Sequence, residues 1–142
     1  MLLEGKSLGD AERVLQGGVR LAPAQIGFTT TLARLQVDRG DNATAIATLQ
    51  KGLDFAQSSP DYLAFLAALL QRAQRHNEAI EQFQAALRLR PDAGVWLLGL
   101  GMSLQAINRT ADAQEAYQRA RTTGSLNPEL AAFADQRLRQ LQ

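Results

Sequence analysis

The chain has 142 residues, with 15 basic against 14 acidic side chains, one His, no Cys and 46% hydrophobic residues. A charged fraction of 20% with net charge +1 excludes a disordered tail and gives no bulk attraction for nucleic acid. Without cysteine there is no disulfide framework, no thiolate metal site and no Cys nucleophile, and no preference for a reducing or an oxidising compartment. Met1-Leu2-Leu3 is followed at once by Glu4, so no apolar signal core is legible. The longest uncharged stretch, from Ala93 to Asn108, is interrupted by Gly94, Gly99 and Gly101. It falls short of the roughly 20 apolar residues of a membrane span. Leu (23) and Ala (24) dominate, and both favour helix.

Prolines stand at 23, 60, 91 and 128, a near-regular spacing that points to a repeat. At the start of the chain, Ala11, Leu15, Gly18 and Pro23 have the pattern of a second helix of a repeat unit, over 8–25. Met1-Leu2-Leu3 reads as the last turn of that unit's otherwise absent first helix. A half unit cannot bury its face alone, so the chain is expected to be the C-terminal portion of a longer protein. One constant shift of the chain against itself then aligns Phe28, Tyr62 and Trp96, and likewise Leu32, Leu66 and Leu100. Ala33, Ala67 and Gly101 form a small column, and Ala45, Ala79 and Ala113 another. Leu49, Phe83 and Tyr117 are bulky together, and Gly52, Ala86 and Ala120 are small together.

The units are therefore 26–59, 60–93 and 94–127 within one domain, 1–142, and each is predicted to be two helices. In the second, Leu63, Leu66, Ala67 and Leu70 make one apolar face. The polar turn Arg75-His76-Asn77 follows, then Ala79, Ile80, Phe83, Ala86 and Leu87, and Pro91 closes the unit. In the third, Leu97, Leu100, Gly101 and Leu104 precede Ala113, Tyr117 and Ala120. Last, Asn127 is placed to cap a helix that begins at Pro128. Leu130, Phe133, Ala134, Leu138 and Leu141 give that helix one apolar stripe, as expected of a solvating cap over 128–142.

A helix–turn–helix unit of this length, with these large and small places, resembles the tetratricopeptide repeat (TPR). Departures are the aromatic one place early at Tyr62 and Trp96, Thr29 and Gln36 at two apolar places, and Ser125 where Pro is expected. The resemblance implies an all-α fold, a TPR solenoid or α/α superhelix. Within the family, three stretches are similar to the C-terminal TPR regions of biogenesis proteins of the mannose-sensitive haemagglutinin (MSHA) type IV pilus. They are the run beginning Asp61-Tyr-Leu-Ala-Phe-Leu, the segment beginning Gly94-Val-Trp-Leu-Leu-Gly, and the ending Phe133-Ala-Asp-Gln-Arg-Leu. That likeness implies another pilus biogenesis component as partner. It also implies a place at the periplasmic face of the inner membrane, as part of a longer anchored protein. The alternatives are a TPR adaptor in the cytoplasm and a self-associating module.

No chemistry is legible. His76 is expected to be a solvated turn residue with no second His or Cys for a metal site. Gly99-Leu-Gly-Met-Ser103 lacks the lysine of a phosphate loop and the order of a hydrolase elbow, so its glycines read as helix-packing residues. The thirteen arginines are interleaved with acids and glutamines and read as solvated helix faces. The expectation is a non-catalytic protein with no cofactor and no metal.

The resemblance also implies a ligand groove lined by the first helix of each unit. It presents Gly27, Thr30, Arg34, Val37 and Asp38, then Asp61, Ala64, Ala68, Gln71 and Arg72, then Val95, Leu98, Met102, Gln105 and Ala106. Ala64, Ala68, Val95, Leu98 and Met102 would form an apolar floor, surplus to the core and rimmed by Arg34, Arg72, Gln71 and Gln105. Such a surplus patch points to a protein or peptide partner, with cover by the last helix or a homodimer as competitors.

Overall fold

The computed structural model describes residues 2–142, and their side chains from Gly9 onward. Among the described residues the regular structure is helical: α1 (Leu2–Leu21), α2 (Ile26–Asp38), α3 (Asn42–Lys51), α4 (Pro60–Arg72), α5 (His76–Leu89), α6 (Gly94–Ala106), α7 (Thr110–Thr122) and α8 (Pro128–Gln140), with one 3-10 turn at Leu53–Phe55. Leu2 and Leu3 open α1 and do not end a separate helix, so that reading of the N-terminus is corrected; Met1 lies outside the described residues. The chain divides between Gln57 and Ser58 into two compact units.

Helices α2, α4, α6 and α8 begin at Ile26, Pro60, Gly94 and Pro128, at even intervals along the chain. The turns that end the first three repeat as closely. Gly40, Gln74 and Asn108 have φ of 79°, 64° and 63°. The next amides, of Asp41, Arg75 and Arg109, reach back to the carbonyls of Gln36, Leu70 and Leu104 at 2.9 Å each. This left-handed closure satisfies carbonyls that the helix end leaves open. Glycine adopts it without strain, whereas Gln74 and Asn108 adopt it at a steric cost. The residue after each closure then starts the second helix with an i,i+3 side-chain bond. Asp41 accepts from the Thr44 amide at 3.2 Å, Arg75 pairs with Glu78 at 2.6 Å, and Arg109 pairs with Asp112 at 2.7 Å. The two bonds from Thr44 hold the Asp41 carboxyl below its ordinary value.

In the first unit α1 packs on α2 and α2 on α3. Leu32, Ala33, Ala45, Ile46 and Leu49 are buried together with Thr29 and Gln36. Gly18 of α1 admits the Phe28 ring, since a Cβ there would stand 3.1 Å from it. In the second unit α4 pairs with α5, α6 with α7, α5 packs on α6, and α8 docks on α7. Tyr62, Leu63, Leu66, Leu70, Phe83, Leu97 and Tyr117 form its centre. Two glycines of α6 set the spacing: a Cβ at Gly99 would stand 2.5 Å from the Phe83 ring, and one at Gly101 2.9 Å from Tyr117. Glycine costs about 1 kcal/mol against Ala inside a helix, and here that cost is offset by close packing of α6 on α5 and α7. Asn127 caps α8 by accepting from the Leu130 amide at 2.8 Å, as its place predicts. Phe133 meets Tyr117 edge-on at 6.4 Å, Arg121 bonds Asp135 at 2.8 Å, and of the α8 stripe Ala134 alone is fully buried.

Candidate partner-binding surface

The groove residues of the second unit lie on α4 and α6, which run side by side. Each is the first helix of a hairpin, so its solvent side is the side turned from α5 or α7. On α6, Val95 is 57% exposed and Met102 36% exposed. Ala68 of α4 is half-buried, and a small side chain there leaves room beside them. Leu98 and Ala64 are 3% and 7% exposed, so neither is surplus to the core. The five-residue floor is corrected accordingly: Val95, Met102 and Ala68 face solvent, while Leu98 and Ala64 pack beneath. In the first unit Arg34 is exposed on α2.

The polar rim is not free either. Gln71 donates its side-chain amide to the Gly99 carbonyl at 2.7 Å and to Ser103 Oγ at 2.9 Å, tying α4 to α6. Gln105 accepts from the Tyr117 hydroxyl at 2.9 Å and from Arg137 at 3.1 Å, tying α6 to α7 and α8. Asp61 meets Arg90 at 3.4 Å, and both are exposed, so the pair contributes little to stability. Arg90 also lies 5.1 Å from the Trp96 ring centroid. Arg72 is exposed at the end of α4. The face therefore presents two exposed apolar side chains over a rigid floor, between glutamines already fixed by hydrogen bonds.

His76 departs from its expected place as a solvated turn residue. It is the first residue of α5 and half-buried, with Nδ1 3.1 Å from Ser103 Oγ and Nε2 3.1 Å from Gln74 Oε1. Ser103 is fully buried and so cannot meet a substrate. The cluster Gln71–Ser103–His76 is a polar tie between three helices. Sequence reasoning passed over Ser103, whose signal was a hydroxyl in the column that Leu35 and Leu69 otherwise fill. Among the described residues no group of three or more His, Cys, Asp or Glu is placed to hold a metal ion, and no helix is long and apolar enough to cross a membrane.

Residues 2–69 and 60–93 match two family models, each described as tetratricopeptide repeat. Anaphase-promoting complex subunit 7 of Arabidopsis thaliana is 32% identical over 82 residues; the match takes in 57% of this chain and only 14% of that protein's length. Among solved structures, MamA superposes with a TM-score of 0.81 at 18% identity, over 97% of this chain and 80% of that one. The type III secretion chaperone SycD of Yersinia enterocolitica, in complex with a peptide of the translocator YopD, gives 0.75 at 16% identity, over 82% and 91%. These likenesses fix the fold class as the TPR solenoid. With evenly spaced helix starts and family matches that together take in residues 2–93, the chain belongs to the tetratricopeptide-repeat family.

Proposed function

We propose that the chain is a non-catalytic protein-interaction scaffold that holds a segment of a partner protein against the α4/α6 face. The observation that carries this is the exposure of Val95 and Met102 on α6 beside the small Ala68 on α4. Large exposed apolar side chains clustered over a rigid floor mark an interaction site. Met adds a polarizable side chain that adapts to varied shapes. An extended segment or one face of an amphipathic helix fits between two parallel ridges of this kind. SycD, similar in fold, was solved with a peptide bound, which supports a peptide as ligand class here. Affinity is expected to be micromolar, about −8 kcal/mol.

The finer reading is a role in type IV pilus biogenesis, resting on the resemblance of the second and third repeats to the C-terminal TPR region of MshN. On that reading the partner is another pilus biogenesis component, and the chain works at the periplasmic face of the inner membrane within a longer anchored protein. The test compares the native chain with Met102→Arg and Ala68→Arg in binding a pilus component from detergent-solubilised envelopes. Both substitutions are expected to abolish binding with helix content and melting near native. Undiminished binding by both variants would remove the α4/α6 face from the account.

A further inference from the structure

The first unit holds a cleft that the proposed function does not use. It lies between α1 and α3 over α2 and has a volume of about 670 Å³, within the range of ligand pockets. Val19, Leu32 and Ala47 give it an apolar lining. Gln36 on its floor is only 2% exposed. That side chain accepts from Thr48 at 2.7 Å and donates one long bond, 3.4 Å, to Glu12, so its amide has a second hydrogen to offer.

The repeat supplies an internal control. Moving two repeat lengths along the chain maps this cleft onto one between α5 and α7 over α6. That counterpart has a volume of only about 130 Å³. Asp112 stands there in place of Thr44, Glu115 in place of Ala47, and Leu104 in place of Gln36. The long side chains of Asp112, Glu115, Arg109 and Arg119 line the narrow cleft, with Arg109 and Asp112 paired at 2.7 Å. The wide cleft is thus no necessary product of the repeat geometry. It opens where α3 carries Thr and Ala.

Its charge is one-sided. Arg20 and Lys51 line it, and no carboxylate does. Neither makes an ion pair with a described residue, whereas nearby Arg13 and Arg39 are paired with Asp10 and Glu12. Arg20 and Lys51 stand in the last turns of α1 and α3 respectively. Those helices run the same way, since α2 lies antiparallel between them in successive hairpins. Both cations therefore sit at one end of the cleft, with Leu32 buried in its floor and Ala47 one turn before Lys51 along the α3 wall. From Thr44 to Lys51 the α3 wall is about 10 Å long at the helical rise, room for about three residues of extended chain.

We infer that the α1/α3 cleft is a second binding site, for a short segment of a partner protein that carries a carboxylate beside a bulky apolar side chain. The carboxylate is held by Arg20 and Lys51, and the apolar side chain fills the space over Ala47. Charge-assisted bonds of this type give register and specificity as well as affinity.

The experiment records amide shifts of the 15N-labelled full chain against the peptide acetyl-Gly-Glu-Phe-Glu-Gly-amide. Parallel arms use its Glu-to-Gln and Phe-to-Ser forms, and decanoate as a free small acid. Saturable shifts confined to 16–20, 32–36 and 44–51 are expected. The Gln form, or the double variant Arg20→Gln, Lys51→Gln, should bind about tenfold more weakly. Ala47→Glu copies the α7 side chain, is a good helix former at an exposed place, and should abolish the shifts with helix content unchanged. Absent shifts, or shifts indifferent to Ala47→Glu, would overturn the site. Binding of decanoate with none of the peptide would overturn the protein segment as its ligand.

Discussion

The two units build the same hairpin from different side chains. Where the second unit has Leu63 and Leu97, the first has Thr29, and where the second has Leu70 and Leu104, the first has Gln36. All six are buried. Gln36 bonds Thr48 and, at longer range, Glu12, but the Thr29 hydroxyl has no hydrogen-bond partner. A buried unpaired hydroxyl costs more than a methyl group gains by burial. The second unit also closes its α5/α7 cleft to about 130 Å³, while the first leaves about 670 Å³ open between α1 and α3. One unit commits its side chains to packing and presents a firm apolar face. The other keeps polar groups and open volume.

That contrast can be broken by exchanging side chains between equivalent places. Leu63→Thr, copying Thr29, should cost about 3 kcal/mol, the sum of lost apolar burial and a new buried hydroxyl. Urea unfolding measures it, and a cost under about 1 kcal/mol would mean that the place tolerates polarity in both units. Next in size is an alkaline effect. Burial pushes the Tyr62 phenol from 10.0 to about 12. Below pH 10 both states keep the proton. Between pH 10 and 12 the unfolded chain loses it first, so stability falls with rising pH, by roughly 2–3 kcal/mol over that window. Tyr62→Phe should flatten this slope, and an unchanged slope would assign it elsewhere.

Amide exchange should be at least about tenfold faster in the helices within 1–40 than in 60–122, because stability in a repeat array is local and follows each interface. The three threonines at 29–31 add to this, since β-branching lowers helix propensity. Uniform protection would contradict a softer first unit. The smallest effect is a gain. Thr29→Val keeps the shape, removes the orphan hydroxyl and should stabilise the fold by about 1 kcal/mol in thermal unfolding.

Much of the fold was legible because the repeat marks it several times over. The even helix starts, the small places at Gly101 and Ala67, the Tyr117 column and the Asn127 cap all follow from residue class and spacing. The site was legible only in part. A place in the repeat says which face a residue is on, but not how deep its neighbours leave it. Leu98 and Met102 share a groove register, yet one is 3% and the other 36% exposed. The Gln71–Ser103–His76 tie joins three helices, and although Ser103 breaks a leucine column, its bonds emerge only when α4, α5 and α6 are placed together. The α1/α3 cleft was invisible for a different reason: it is made by side chains that α3 lacks, and absence has no motif.

The most direct test of the central claim is capture from detergent-solubilised envelope extract with the native chain and Met102→Arg side by side. A pilus biogenesis component is predicted to be retained by the native protein and lost from the variant, at equal helix content. Retention of the same component by both would contradict the account and move the recognition surface off the α4/α6 face.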